Sequence, residues 1–148
     1  MATTRQPIRS PLDAVFDVVA NPRTYPRWLV GARDIGAVDA GWPAAGTQFH
    51  HRVGVAGPFT VADTTQCCRV ERPTLLELEV RVRPVGRGRV VFTFADLGDG
   101  ITEVVVDEVP IGSLRPFAPL LELPTALRNR RSLQRLAALI ECEAVPPR

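Results

Sequence analysis

The sequence predicts an α+β fold in which a curved antiparallel sheet of seven strands wraps around one long C-terminal helix. Three features support it: an amphipathic helix near the N-terminus, a long run of segments with alternating apolar residues, and a second amphipathic helix near the end. The length of 148 residues is close to the commonest size of one domain, so we expect residues 1–148 to form one. One helix does not fill such a sheet, which predicts an internal apolar cavity.

The composition disfavours several classes of protein. Charged residues make up 23% of the chain, and no segment approaches the ~18 consecutive apolar residues of a membrane span, so we expect no transmembrane segment. The chain has no lysine, which excludes Schiff-base chemistry on a side chain and the Gly-Lys-Ser/Thr phosphate loop. A net charge of +2 does not indicate a nucleic-acid partner. Three cysteines without a disulfide framework, together with a polar N-terminus, favour a cytoplasmic location.

The first strand and the opening helix come from the N-terminal residues. A strand is predicted over Thr3–Ile8, followed by a helix with Ser10 as N-cap, Pro11 at its first position and an end near Asn21. Spacing of three and four residues predicts the buried face of this helix, which comprises Leu12, Val15, Phe16 and Val19. The proline-containing segment 23–28 is predicted as a short turn or second helix.

Six further strands follow, separated by Gly and Pro. They are predicted at Asp34–Asp39, Thr47–Val55, Phe59–Val70, Leu75–Val82, Arg87–Asp96 and Ile101–Glu108. Their connections, such as Gly57-Pro58 and Pro84–Gly86, are short, which favours an antiparallel meander. Asp63 and Val70 have opposite parity on one strand, so a bulge or a change of register is predicted between them.

Parity assigns side chains to the inner face, because alternate residues of a strand point to opposite sides. His51 shares phase with Phe49, and Glu108 shares phase with Val106, so two ionisable groups are expected to face inward. Asp63 is placed on the same face. The apolar inner residues predicted for the sheet are Phe49, Leu78, Val80, Phe92, Phe94 and Val106.

The closing helix is predicted to begin between Phe117 and Pro124 and to run to about Glu143. Its apolar stripe comprises Ala126, Leu133, Leu136, Ala137 and Ile140. Asn129 falls inside this stripe, and a buried amide requires a partner, so it should meet a backbone group, a water or a ligand. A separate, solvated side is expected to carry Arg128, Arg131 and Arg135, although transient contact with an anionic membrane surface, or contact with a partner, is also left open.

Several short motifs occur in a characteristic order. They are Tyr25-Pro26-Arg27-Trp28, Gly46-Thr47, Arg72-Pro73 before Leu75-Leu76, the strand ending at Glu108, and Arg128-Asn129. This order resembles the START-like, helix-grip superfamily, and within it the polyketide cyclase/dehydrase and lipid-transport group of SRPBCC proteins. The resemblance implies two short helices after the first strand and a hydrophobic cavity closed by the last helix. It implies little about activity, because this fold hosts enzymes, receptors and carriers.

The first function to consider is binding or transport of a hydrophobic small molecule, lipid-like or aromatic, in the cavity. Trp28 is expected near the entrance. His51, Glu108 and Asn129 are expected to orient one polar end of the ligand, and Asp63 is also expected among the ligand-binding residues. The walls are expected to be Phe49, Leu78, Val80, Phe92, Phe94, Val106 and Leu133.

The alternative is an enzyme of the polyketide cyclase/dehydrase type, in which His51 and Glu108 act as general acid and base. The plainer interpretation is that His51 is a hydrogen-bonded core residue and that Glu108 pairs with an arginine. No cofactor is expected. A metal site is disfavoured, because the adjacent pairs His50-His51 and Cys67-Cys68 each point to opposite faces of a strand. The sequence does not predict an oligomeric state.

Overall fold

The computed structural model describes residues 2–56, 59–82 and 86–143 and shows the predicted α+β architecture. The strands are β1 (Ala2–Ile8), β2 (Ala32–Val38), β3 (Gln48–Ala56), β4 (Phe59–Glu71), β5 (Leu75–Val82), β6 (Gly86–Gly98) and β7 (Ile101–Ile111). The helices are α1 (Leu12–Ala20), α2 (Tyr25–Trp28) and α3 (Ala118–Glu143), with 3₁₀ turns at Pro22–Thr24 and Gly112–Phe117. The turns predicted at Gly57-Pro58 and at Pro84–Gly86 lie, apart from Gly86, outside the described residues.

All seven strands form one antiparallel sheet with the order β1-β7-β6-β5-β4-β3-β2. From β2 to β7 each strand pairs with the next in sequence, which is the predicted meander. The N-terminal strand instead pairs with the last one, with Ala2 opposite Glu108. The long helix α3 contacts β1, β7 and α2, so it lies across the face on which the apolar residues of the strands are buried.

The irregularity predicted in β4 is present, and it is a bulge. The pairing with β5 is regular up to Cys67 opposite Leu78 and resumes with Arg69 opposite Glu77. The unpaired residue is Cys68, which is exposed, whereas Cys67 is buried. This single extra residue reverses the parity of the strand, and for this reason both Thr65 and Val70 face the core side.

The start of the opening helix differs from the prediction by one residue. Helix α1 begins at Leu12, so Pro11 occupies the N-cap position and Ser10 is not the cap. Ser10 is buried instead, and its carbonyl accepts a hydrogen bond of 2.8 Å from the hydroxyl of Thr102 on β7. The backbone of Ser10 thus ties the chain to the sheet, and the Pro11 side chain provides no capping acceptor.

The core lies between the sheet and the two longer helices. Val15, Phe16 and Val19 of α1 are fully buried, and Leu12 is partly buried against them. In α3 the buried residues are Asn129, Ser132, Leu133, Leu136, Ala137 and Ile140. Residues 118–128 of the same helix contribute no buried side chain, and Pro124 lies among them, where it cannot donate a helical hydrogen bond.

Candidate functional site

An internal cavity of about 120 Å³ lies between the sheet, α2 and α3 and opens to solvent. Its apolar lining residues are Tyr25, Trp28, Leu29, Val30, Ala32, Ile35, Phe49, Leu78, Val80, Val90, Phe92, Val106 and Leu133. Its polar lining residues are His51, Arg52, Thr65, Glu108, Arg128, Asn129 and Ser132. The fold therefore leaves the predicted space between sheet and helix.

One wall of the cavity is a cluster of aromatic rings in edge-to-face contact. The centroid of Tyr25 lies 5.3 Å from that of Trp28 and 5.6 Å from that of Phe49. Trp28 in turn lies 6.3 Å from Phe92, with an angle of 81° between the rings. Such pairs are stabilised beyond the burial of their area. Trp28 lines the cavity as predicted residues of the site should, but it is a buried part of the wall: it is 1% exposed, and its indole N–H donates to the Thr24 hydroxyl.

A polar cluster joins β7 to α3 at the cavity. The Asn129 amide nitrogen donates to Glu108 Oε2 at 2.9 Å, and the Arg128 guanidinium donates to the same carboxylate oxygen. Arg128 also donates to Asn129 Oδ1 at 3.1 Å. Asn129 is 4% exposed, and the predicted need of this buried amide for a partner is met by a side-chain carboxylate, not by the backbone group, water or ligand that was expected. Glu108 pairs with an arginine, as in the plainer of the two interpretations.

Arg128 lines the cavity although it was assigned to the solvated side of the helix. Its α-carbon lies on the flank of α3, but an arginine stem is long enough to carry the guanidinium to Glu108 on β7. A helical wheel registers the direction of the α-carbon and not the reach of the side chain. The side chain of Arg128 is 41% exposed and that of Glu108 is 16% exposed, so the ion pair lies at the rim.

His51 faces the cavity and has an unusual environment. His51 is 7% exposed. Among the described residues, its Nε2 is the one buried side-chain polar atom without a hydrogen-bond partner. Burial lowers the pKa of His51 below its usual value, while a backbone hydrogen bond with Thr64 and the nearby Asp63 carboxylate act in the opposite direction. A neutral imidazole with a free Nε2 can accept or donate one further hydrogen bond, depending on its tautomer.

Two residues predicted to contact the ligand do not line the cavity. Phe94 is buried, but it packs edge-to-face on Phe16 of α1 at 5.3 Å, in the part of the core that α1 covers. Asp63 stands directly opposite His51 in the β3–β4 register, where its carboxylate accepts from the Thr64 backbone N–H at 2.8 Å. Parity places both residues on the correct face, but it does not give the height along the strand at which the cavity lies.

A protein-family model matches residues 2–141, and its description is polyketide cyclase / dehydrase and lipid transport. The chain belongs to this family. A search of curated proteins gave no match.

Solved structures with a similar fold include a protein from Chromobacterium violaceum, with 19% sequence identity, a TM-score of 0.72 and coverage of 94% of this chain and 96% of that one. The di-domain ARO/CYC StfQ of the steffimycin biosynthetic pathway has 17% identity and a TM-score of 0.73, and the match covers 97% of this chain and 45% of StfQ. CalU16 from Micromonospora echinospora has 17% identity, a TM-score of 0.64 and coverage of 95% and 76%. These likenesses confirm the helix-grip fold. Family and fold together support a role in binding a hydrophobic ligand.

Several lining residues of this family member were not predicted from its sequence. Ser132 lies within the buried side of α3, and its hydroxyl accepts from the Val30 backbone N–H at 3.0 Å, which fixes the segment after α2 beside the cavity. Thr65 is buried opposite Phe49 in the register. Parity counted from Phe49 and His51 would have found Thr65 through the pairing of β3 with β4. No periodic signal marks the irregular segment 29–31.

The Tyr25 hydroxyl and the Cys67 thiol are also buried, and neither has the properties of a reactive group. The Tyr25 hydroxyl donates to the Val19 carbonyl at 2.8 Å, and burial raises the pKa of Tyr25. Burial likewise raises the pKa of the Cys67 thiol to about 11, so little thiolate forms near neutral pH.

Within the described part of the chain, no group of three or more His, Cys, Asp or Glu side chains could hold a metal ion. Nor is any described helix both long and apolar enough to cross a bilayer.

Proposed function

We propose that the protein binds or transports a hydrophobic small molecule, lipid-like or aromatic, in the cavity between the sheet and α3. The observation that carries this proposal is the combination of an apolar, aromatic wall with a buried and unpartnered His51 Nε2. Buried polar atoms in folded proteins nearly always have a partner. A ligand with an apolar body and one polar atom would supply it.

The size of the cavity limits the part of the ligand that it encloses. About 120 Å³ is similar to the ~150 Å³ of an engineered apolar cavity that admits benzene. One ring, or a short stretch of acyl chain, would fill it. Burial of a group of that size contributes about 1.5–3 kcal/mol, whereas micromolar affinity requires about 8 kcal/mol. A tightly bound ligand would therefore extend through the opening, past Glu108 and Arg128.

Native mass spectrometry of the purified protein tests the proposal. The expected result is a co-purified apolar compound, or uptake of one fatty acid or one polycyclic aromatic molecule per chain when these are added. Failure to bind any member of a broad lipid and aromatic panel would contradict the proposal.

The second candidate function is a polyketide cyclase/dehydrase-type reaction, and the free His51 Nε2 is the specific observation that favours it. A neutral imidazole inside an apolar cavity is suited to take a proton from the carbon between two carbonyl groups of a folded poly-β-ketone. The resulting carbanion would attack a carbonyl of the same chain, and the imidazolium would return the proton to the new alkoxide. Holding the chain folded would itself lower the barrier by several kcal/mol.

Because Glu108 is already paired with Arg128 and Asn129, its contribution in this mechanism would be to position those groups.

The variant His51→Ala distinguishes the two functions. Ring formation from a linear poly-β-ketone is followed by absorbance, and the affinity for the same compound is measured in parallel. Catalysis by His51 predicts loss of turnover with affinity retained. Equal loss of both, or of neither, would remove His51 from the reaction.

A further inference from the structure

The outer side of α3 carries large apolar side chains that no described part of the chain covers. Leu120, Leu123 and Leu127 are 76%, 68% and 57% exposed, and Phe117, at the end of the preceding turn, is 51% exposed. Spacings of three and four residues place the three leucines on one side of the helix. We refer to these four residues as the leucine face. Contiguous exposed apolar side chains of this kind mark interaction sites.

The fold does not account for these side chains. Residues 118–128 contribute no buried side chain, whereas buried residues recur from Asn129 to Ile140. A polar residue at Leu120, Leu123 or Leu127 would therefore cost the core little. Among the described residues, the remaining large apolar side chain with comparable exposure is Leu97, which is 55% exposed at the far end of β6 and stands apart from the leucine face.

The leucine face is flanked by positive charge. Residues 112–138 contain five arginines and one acidic residue, Glu122. Four of these arginines are exposed and form no ion pair with another described residue: Arg115, Arg130, Arg131 and Arg135. This surface is complementary to a second surface that has an apolar interior for the leucines and anionic groups around it for the arginines.

We propose that the leucine face docks on the surface of a bilayer that contains anionic phospholipids. The leucines enter the boundary between headgroups and acyl chains, and the flanking guanidinium groups meet the phosphates. A bilayer accommodates a convex ridge of aliphatic side chains without a preformed groove, whereas a protein partner would need one of matching shape. The N-terminal half of α3 thus lies on the membrane and does not cross it.

The docked surface is continuous with the rim of the cavity. Arg128, which follows Leu127 in sequence, lines the cavity and pairs there with Glu108. Docking therefore brings the cavity rim close to the lipid, so that an apolar molecule dissolved in the bilayer has a short path to the cavity. This last step rests on the proposed function, whereas docking itself does not.

Co-sedimentation with vesicles tests the docking. We expect the protein to sediment with vesicles of equimolar phosphatidylcholine and phosphatidylglycerol and to bind pure phosphatidylcholine at least about tenfold more weakly. The variant Leu120→Gln/Leu123→Gln/Leu127→Gln should lose at least about tenfold in partition coefficient, and the matched control Leu97→Gln should bind as the unsubstituted protein does. The variant Arg130→Gln/Arg131→Gln should lose about fivefold for each arginine, with the control Arg9→Gln unchanged.

Three results would overturn the docking. The unsubstituted protein could fail to sediment with the anionic vesicles, or the triple leucine variant could bind as well as the unsubstituted protein while its circular dichroism shows it to be folded. The third is a dimer in vesicle-free buffer that the triple variant converts to a monomer, which would assign the leucine face to a second copy of the chain. Binding of an apolar probe in vesicle-free buffer is measured separately, so failure of the docking and failure of the proposed function are distinguishable.

Discussion

The Asn129 amide on α3 donates a hydrogen bond of 2.9 Å to the Glu108 carboxylate on β7. This contact joins the closing helix to the strand at the rim of the cavity. Asn129 is the buried member, at 4% exposure, while the Glu108 side chain is 16% exposed and has a second donor in Arg128. The two residues therefore contribute unequally to stability. If the contact is lost, bulk water cannot reach the buried amide of Asn129 to replace its hydrogen bond.

The substitution Asn129→Ala should lower the free energy of unfolding by about 1–3 kcal/mol, because it removes a buried donor to a carboxylate. Urea unfolding followed by circular dichroism measures the change. The matched control is Gln134→Ala on the exposed side of the same helix, which should change stability by less than about 0.5 kcal/mol. Equal effects of the two substitutions would show that the contact contributes nothing.

Leu76 and Leu78 share the inner face of β5 but differ in their relation to the cavity. Both are buried, at 0% and 2% exposure, and only Leu78 lines the cavity. Leu76→Ala opens a void in packed core and should cost about 2–5 kcal/mol of unfolding free energy without changing affinity for an apolar probe such as naphthol. Leu78→Ala enlarges the existing space and should alter that affinity. If calorimetry shows that both variants bind naphthol equally well, Leu78 is not part of the ligand site.

The stability of the protein should fall as the pH is lowered from about 7 to about 5, in part because of His51. Burial lowers its pKa in the folded state, so the unfolded chain binds the proton more readily and stability decreases below the unfolded pKa of about 6.5. The substitution His51→Gln should reduce this slope in the free energy of unfolding. An unaltered slope in His51→Gln would contradict the assigned cause.

The fold could be predicted because each element has a local signal. Alternation in β5 and β6 predicted the strands and their inner faces. The parity conflict between Asp63 and Val70 predicted a bulge or a change of register, and the structure shows a bulge at Cys68. The interruption of an apolar stripe by Asn129 correctly indicated a buried amide that needed a partner.

The site could be predicted only in part, because its remaining features depend on tertiary distances. Parity places Phe94 on the correct face, but α1 covers the end of the sheet where it lies, so it packs on Phe16 and away from the cavity. The reach of the Arg128 side chain across to Glu108 is likewise not encoded in the period of a helix. Ser10 has the chemistry of an N-cap, yet the sheet uses its carbonyl and the helix begins two residues later.

Calorimetric titration of naphthol into the unsubstituted protein and two valine variants tests most directly whether the cavity holds an apolar guest. Val80 lines the cavity opposite Gly88, so Val80→Phe should fill it, whereas Val91→Phe places the same ring on the outer face of β6. With all three proteins shown to be folded by circular dichroism, we predict saturable binding of one naphthol to the unsubstituted protein and to Val91→Phe, and none to Val80→Phe. Undiminished binding to Val80→Phe, or no binding to the unsubstituted protein, would contradict the account.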